Sequence, residues 1–99
     1  MTDDLFTHRG LSLDRLASFA AIAKAGGITA ASGGSPSRQS QLSRQLKELE
    51  GVFGTELVRR GRGQFALTQA GKELLAIAQH SFGALQDFAL ACAHEPISL

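Results

Sequence analysis

Residues 42–50 read Leu42-Ser43-Arg44-Gln45-Leu46-Lys47-Glu48-Leu49-Glu50, and Phe53-Gly54-Thr55-Glu56-Leu57-Val58 follows shortly after. Leu42, Leu46, Leu49 and Phe53 are spaced four, three and four apart, which puts them on one stripe of an α-helix. At about 100° per residue, Ser40, Arg44, Lys47 and Gly51 fall on the opposite side, a polar and mostly basic face. The helix is expected to start between residues 36 and 38 and to run to about Phe53. Pro36 suits a first helical turn, Ser35 or Ser37 is available as its cap, and Gly54 supplies the stop.

Upstream, Leu13, Leu16, Phe19, Ala20 and Ala23 recur at helical spacing, with Ser12 as a cap and Gly26-Gly27 as a terminator. This predicts a first helix over about residues 13–25, preceded by an N-terminal leader over residues 1–12 whose residues 1–10 read as frayed. A second helix opens near Thr29, capped by Thr29 or a neighbour. Gly33, Gly34 and Ser35 keep it short, because glycine costs about 1 kcal/mol against alanine inside a helix.

Downstream, Leu57-Val58-Arg59 and Gln64-Phe65-Ala66-Leu67 bracket Arg60-Gly61-Arg62-Gly63, which reads as a hairpin with a basic, glycine-containing turn. Thr68 then caps a long helix continuing to about Ala93. Leu75, Ala78, Phe82, Leu85, Ala89 and Cys92 form one apolar stripe along it; Leu74, Ile77, Ser81, Ala84, Phe88 and Ala91 repeat its spacing one position earlier. Two adjacent stripes exceed what a helix lying on one small domain needs. One can seal the domain while the other meets a partner helix.

A chain of 99 residues is one small domain, and 43% apolar with 19% charged residues is a globular composition. The net charge of +1 conceals an uneven distribution. Residues 1–37 are neutral overall, residues 38–62 carry +3 and residues 63–99 carry −2. The basic excess is focused where a polyanion could be met. A single cysteine, Cys92, suits a reducing cytoplasm. With His8, His80 and His94 it gives no metal-ligand spacing, so no metal and no cofactor are expected. No nucleophile–base pair or phosphate loop argues for an enzyme, and Gly61-Arg62-Gly63 is too short to cradle a nucleotide. Asp3 and Asp4 in the leader exclude a signal peptide, and no apolar run approaches the ~20 residues of a membrane span.

Three helices, a two-stranded basic hairpin and a long apolar helix are the parts of a mainly α winged helix-turn-helix with a dimerisation or linker helix behind it. Here the sequence resembles the LysR-type transcriptional regulators, from about Leu13 to Phe88. The resemblance is carried by residues 42–50, by Phe53 to Val58, and by Leu67-Thr68-Gln69-Ala70-Gly71 at the junction of wing and long helix. It implies a winged helix-turn-helix over residues 13–67, with the helix-turn-helix near 27–46 and the wing near 57–67. A dimerisation helix would follow over 68–93, and residues 94–99 would lead into a ligand-sensing domain of a longer protein.

The resemblance further implies a cytoplasmic, bacterial regulator that binds double-stranded DNA as a homodimer, or a tetramer in a full-length protein. Any small-molecule effector would bind outside this chain. Candidate DNA-contacting residues are Arg38, Gln39, Ser40, Gln41, Ser43, Arg44 and Lys47 on the recognition helix. Thr29 would meet phosphate at the start of helix two, and Arg59, Arg60, Arg62 and Gln64 would lie on backbone or minor groove. The side-chain chemistry agrees: glutamine pairs with an adenine edge, arginine with guanine or phosphate, and serine with either. The candidate dimer interface is Leu74, Leu75, Ala78, Phe82, Leu85, Phe88 and Ala89. The chain departs from the family pattern in and after helix two, where Ser32, Ser35 and Ser37 replace small or apolar anchors and Arg38 replaces an opening serine. That departure leaves one alternative, a winged-helix protein-interaction module without DNA binding, which would have no need of Arg44 or the wing arginines.

Overall fold

The computed structural model describes residues 5, 7–59, 61 and 64–94. Helix α1 spans Leu13–Ala25, α2 Ile28–Ser32 and α3 Pro36–Phe53. Strands β1 (Val58–Arg59) and β2 (Ala66–Leu67) follow, and α4 spans Gln69–His94. The strands pair antiparallel, Val58 opposite Leu67 and Arg59 opposite Ala66. They are shorter than the apolar runs that predict them. Such a ribbon has no independent stability and is held down by buried Leu57 and Val58, with Phe65 and Leu67 packed against the core.

Each helix end has a local cause. Ser12 Oγ accepts from Arg15 N (3.1 Å), and Gly26, at φ 88°, turns the chain out of α1 in a left-handed conformation. Ser35, of the two serines available, caps α3 by accepting from Arg38 N (3.3 Å). At the far end of α3 the Gly54 amide donates to Glu50 O (2.9 Å). Helix α2 corrects the expectation that Thr29 or a neighbouring side chain caps it. Gly27, at φ 149° and ψ 168°, starts the helix without any side-chain cap, so Thr29 is already its second residue.

The core joins Phe19 and Ile22 of α1 to Leu42, Leu46 and Leu49 of α3, with Leu57 and Val58 closing one side. At roughly 1.5–3 kcal/mol for each large apolar side chain taken out of water, this cluster dominates the favourable side of folding. Phe53, expected in the same stripe, is 39% exposed: it is the last residue of α3, where the helix passes beyond its neighbours. The leader is also not simply frayed. Gly10 is buried so close to Val52 Cγ2 and the Glu48 carbonyl that a Cβ would lie 2.6 and 2.8 Å from them, and Leu11 packs against the core.

Helix α2 sets only Ile28 and Ala31, both half-buried, against this core. It has five residues, and its buried side chain, Ser32, uses its hydroxyl locally by donating to Thr29 O (2.7 Å). Amides of residues 29–36 should therefore exchange with solvent well before those of residues 42–49, as hydrogen exchange resolved by residue will read. Equal protection in the two segments would mean that α2 is anchored by more than its contacts imply.

Candidate nucleic-acid interface

The outward face of α3 follows from the stripe that buries its inner one. With Leu42, Leu46 and Leu49 turned inward, Arg38, Gln39, Ser40, Gln41, Arg44 and Lys47 are exposed, and Ser43 is half-buried at the margin. Pro36, Gln39, Ser40, Ser43, Arg44, Lys47 and Glu48 line one shallow recess of about 860 Å³. Ser37, Arg38, Ser40, Gln41 and Arg44 line a second one beside it.

Glu48, the acidic side chain in this lining, is engaged from behind. Its Oε1 accepts from Arg15 Nε and is paired with Arg15 Nη2, both at 3.0 Å. The pair is partly exposed and worth at most about 1 kcal/mol to stability. Its larger effect is electrostatic: it offsets the negative charge that would oppose Arg44 and Lys47. A second tie crosses the same seam, where buried Ser18 Oγ on α1 donates to Gln45 Oε1 at 2.6 Å. The two bonds fix the roll of α3 on α1. Neither was found from the sequence, because the partners lie 33 and 27 residues apart and no local spacing marks them.

The remaining candidates gather elsewhere. Thr29 and Ala30 of α2 face Arg59, Gly61, Gln64 and Phe65 across a cleft floored by Leu46 and Val58. Thr29, Arg59 and Gln64 are exposed. Gln64 N donates to Gly61 O (3.2 Å) at the base of the turn. Arg60 and Arg62 lie outside the described residues. The hairpin is positioned from both sides. Leu57 N donates to Glu50 Oε2 (2.7 Å), while Leu57 O accepts from Thr68 N (3.1 Å). The Thr68 hydroxyl donates to Glu56 O (2.7 Å) and accepts from Gly71 N (3.0 Å), capping α4 as its position predicts.

The candidate dimer surface on α4 divides in two. Ala78, expected at a dimer interface, is instead fully buried within its own domain. Leu74 and Leu75 are half-buried against the core, and Phe82 is also half-buried. These positions lie where α4 still has the domain beneath it. Farther along, Leu85 and Phe88 are 51% and 60% exposed, and Ala89 is exposed. Ile77, at 62% exposed, joins Ala84, Phe88 and Ala91 on one stripe. Among the described residues no helix is long and apolar enough to cross a membrane.

A short helix, a tight glycine-rich turn, an exposed polar helix and a two-stranded hairpin, followed by a long helix with an open apolar stripe, define a winged helix-turn-helix domain. Residues 13–72 match the model of the bacterial regulatory helix-turn-helix proteins of the lysR family, and the chain belongs to that family. It is 36% identical over 75 residues to the HTH-type transcriptional regulator PtxR of Pseudomonas aeruginosa, covering 76% of this chain and 24% of that protein. The chain thus spans about a quarter of that relative's length.

Two solved structures share the fold. The DNA-binding domain of BenM, in complex with catB site 1 DNA, superposes with a TM-score of 0.78 at 22% identity, over 90% of this chain and 99% of that one. The DNA-binding domain of CbnR, also in a DNA complex, gives 0.69 at 30% identity, over 84% and 99%.

Proposed function

We propose that this domain binds duplex DNA sequence-specifically, as the DNA-reading part of a cytoplasmic transcription regulator and not as an enzyme. The amino-terminal half of α3 enters the major groove, and the hairpin lies on backbone or minor groove. The observation that carries this reading is the outward face of α3. Arg44 and Lys47 stand beside Gln39, Ser40 and Gln41, all exposed, and the neighbouring Glu48 carboxylate is held by Arg15. Two of the solved structures with the same fold are DNA complexes, which supports the reading. Thr29 and the wing residues Arg59, Arg60, Arg62 and Gln64 serve as backbone contacts. The domain acts as a homodimer through the outer stripe of α4, and any effector acts through a part of the protein beyond this chain.

Fluorescence anisotropy with a preferred and a scrambled duplex, across a salt series, tests the division of labour. Gln39→Ala should cost ~1–3 kcal/mol on the preferred site and little on the scrambled one, as for a lost bidentate base contact. Arg59→Ala should weaken both duplexes alike and flatten the salt dependence, because each lost phosphate contact releases about one counterion fewer. No salt-sensitive affinity for any duplex would give precedence to a protein-interaction module. A change of sequence preference in Arg59→Ala would mean that the wing reads bases.

A further inference from the structure

Resting on the DNA-binding reading, we infer that Arg38 and Gln41 act as one unit that reads guanine, and that Arg38 denies Gln41 the adenine contact a free glutamine prefers. Arg38 Nη1 donates to Gln41 Oε1 at 2.9 Å across one turn of α3, and both side chains are exposed. The orientation of the Gln41 amide is unambiguous. A guanidinium carries five donors and no acceptor, so it can be met only by the carboxamide oxygen.

Adenine offers a donor at N6 and an acceptor at N7, and a glutamine reads it with oxygen and nitrogen together. With one lone pair of its oxygen taken and the guanidinium seated beside that oxygen, Gln41 offers its NH2 next to the remaining guanidinium donors. The edge that answers such a donor-only surface is guanine, whose N7 and O6 are adjacent acceptors. The next glutamine along this edge is committed in the same way, since Gln45 Oε1 accepts from Ser18 Oγ (2.6 Å). Gln39, on the other edge of the face, makes no side-chain hydrogen bond among the described residues and keeps both halves of its amide. The two glutamines of the first turns therefore read different bases.

The experiment is selection from a pool of randomised duplexes by the 99-residue domain, followed by binding to single-base variants of the selected site. The wild type should require guanine at one position of each half-site, by about ten- to a hundredfold over adenine. Arg38→Ala should turn that preference to adenine, and Gln41→Ala should abolish it at the same position. Both residues are exposed, so thermal melts should be unchanged.

The inference is overturned if Arg38→Ala weakens all duplexes equally with every base preference intact, which is the behaviour of a phosphate contact. It is also overturned if the position lost in Gln41→Ala is adenine in the wild type. A wild-type domain that selects no duplex removes the DNA-binding reading itself, an outcome seen before any variant is made.

Discussion

Phe88→Asp should leave the domain folded, convert a dimer into monomers in sedimentation, and weaken binding to a two-half-site duplex far more than to a single half-site. Phe88 is 60% exposed in one chain, on a stripe with Ile77, Ala84 and Ala91, so its replacement removes little from the domain's own core. In a symmetric dimer the same patch is used twice. Burial of a phenylalanine contributes about 1.5–3 kcal/mol, so the loss from both copies is roughly 3–6 kcal/mol. That is about a hundredfold to ten-thousandfold in the dimerisation constant. Binding to paired half-sites falls because the second contact is no longer intramolecular. A Phe82→Asp variant separates the effects less cleanly, since Phe82 is half-buried on its own domain. A wild-type domain that stays monomeric at high micromolar concentration would place the dimer contact outside this helix.

Two glycines of the same helix should respond with opposite signs to the same substitution. Gly71 is buried in the first turn of α4, and a Cβ there would run into the Leu57 carbonyl oxygen. Gly83 has open space where its Cβ would stand. Alanine inside a helix ordinarily gains up to about 1 kcal/mol over glycine, so Gly83→Ala should raise the melting temperature by a few degrees. At Gly71 the collision is with backbone, which cannot rotate away as a side chain would. Overpacking of that kind costs about 1–3 kcal/mol or more, and the helical gain does not offset it. Gly71→Ala should lose about 2–3 kcal/mol, which in a domain of this size lowers the melting temperature by roughly 10–20 °C. Calorimetry of the two variants side by side decides the matter. A Gly71→Ala variant as stable as the wild type would mean that α4 can lift from the hairpin at little cost.

Helix positions were legible in the sequence because their signals are local: the Leu42–Leu46–Leu49 spacing, the Ser12 and Thr68 caps, the Gly26 and Gly54 stops. What escaped depends on which surface lies opposite. The doubled stripe of α4 suggested one face for the domain and one for a partner, yet Leu74 of the second stripe turns inward and Leu85 of the first turns outward. A strict seven-residue repeat drifts about 20° per heptad on a straight helix, and support from the domain changes along the length of α4. Spacing alone could not tell that Ala78 lies over the core while Phe88 does not. At the candidate site the residue types were readable, but the partners that orient them were not. Arg15 on Glu48 and Ser18 on Gln45 are products of how α1 meets α3.

A single residue, Leu57, links the parts of the molecule that must stay in register. The amide of Leu57 is held by Glu50 of α3, its carbonyl by Thr68 at the foot of α4, and the flat side of Gly71 rests against it. From Gly71 to Phe88 the helix rises about 26 Å, so it works as a lever pivoted at that residue. A tilt of about 10° at the pivot would displace Phe88 by roughly 4–5 Å, more than the ~3.4 Å separating successive base pairs. In the proposed DNA-bound dimer, small errors at Leu57 would thus be magnified into whole steps of the double helix, and the stiffness of one joint would set how much variation in half-site spacing is tolerated.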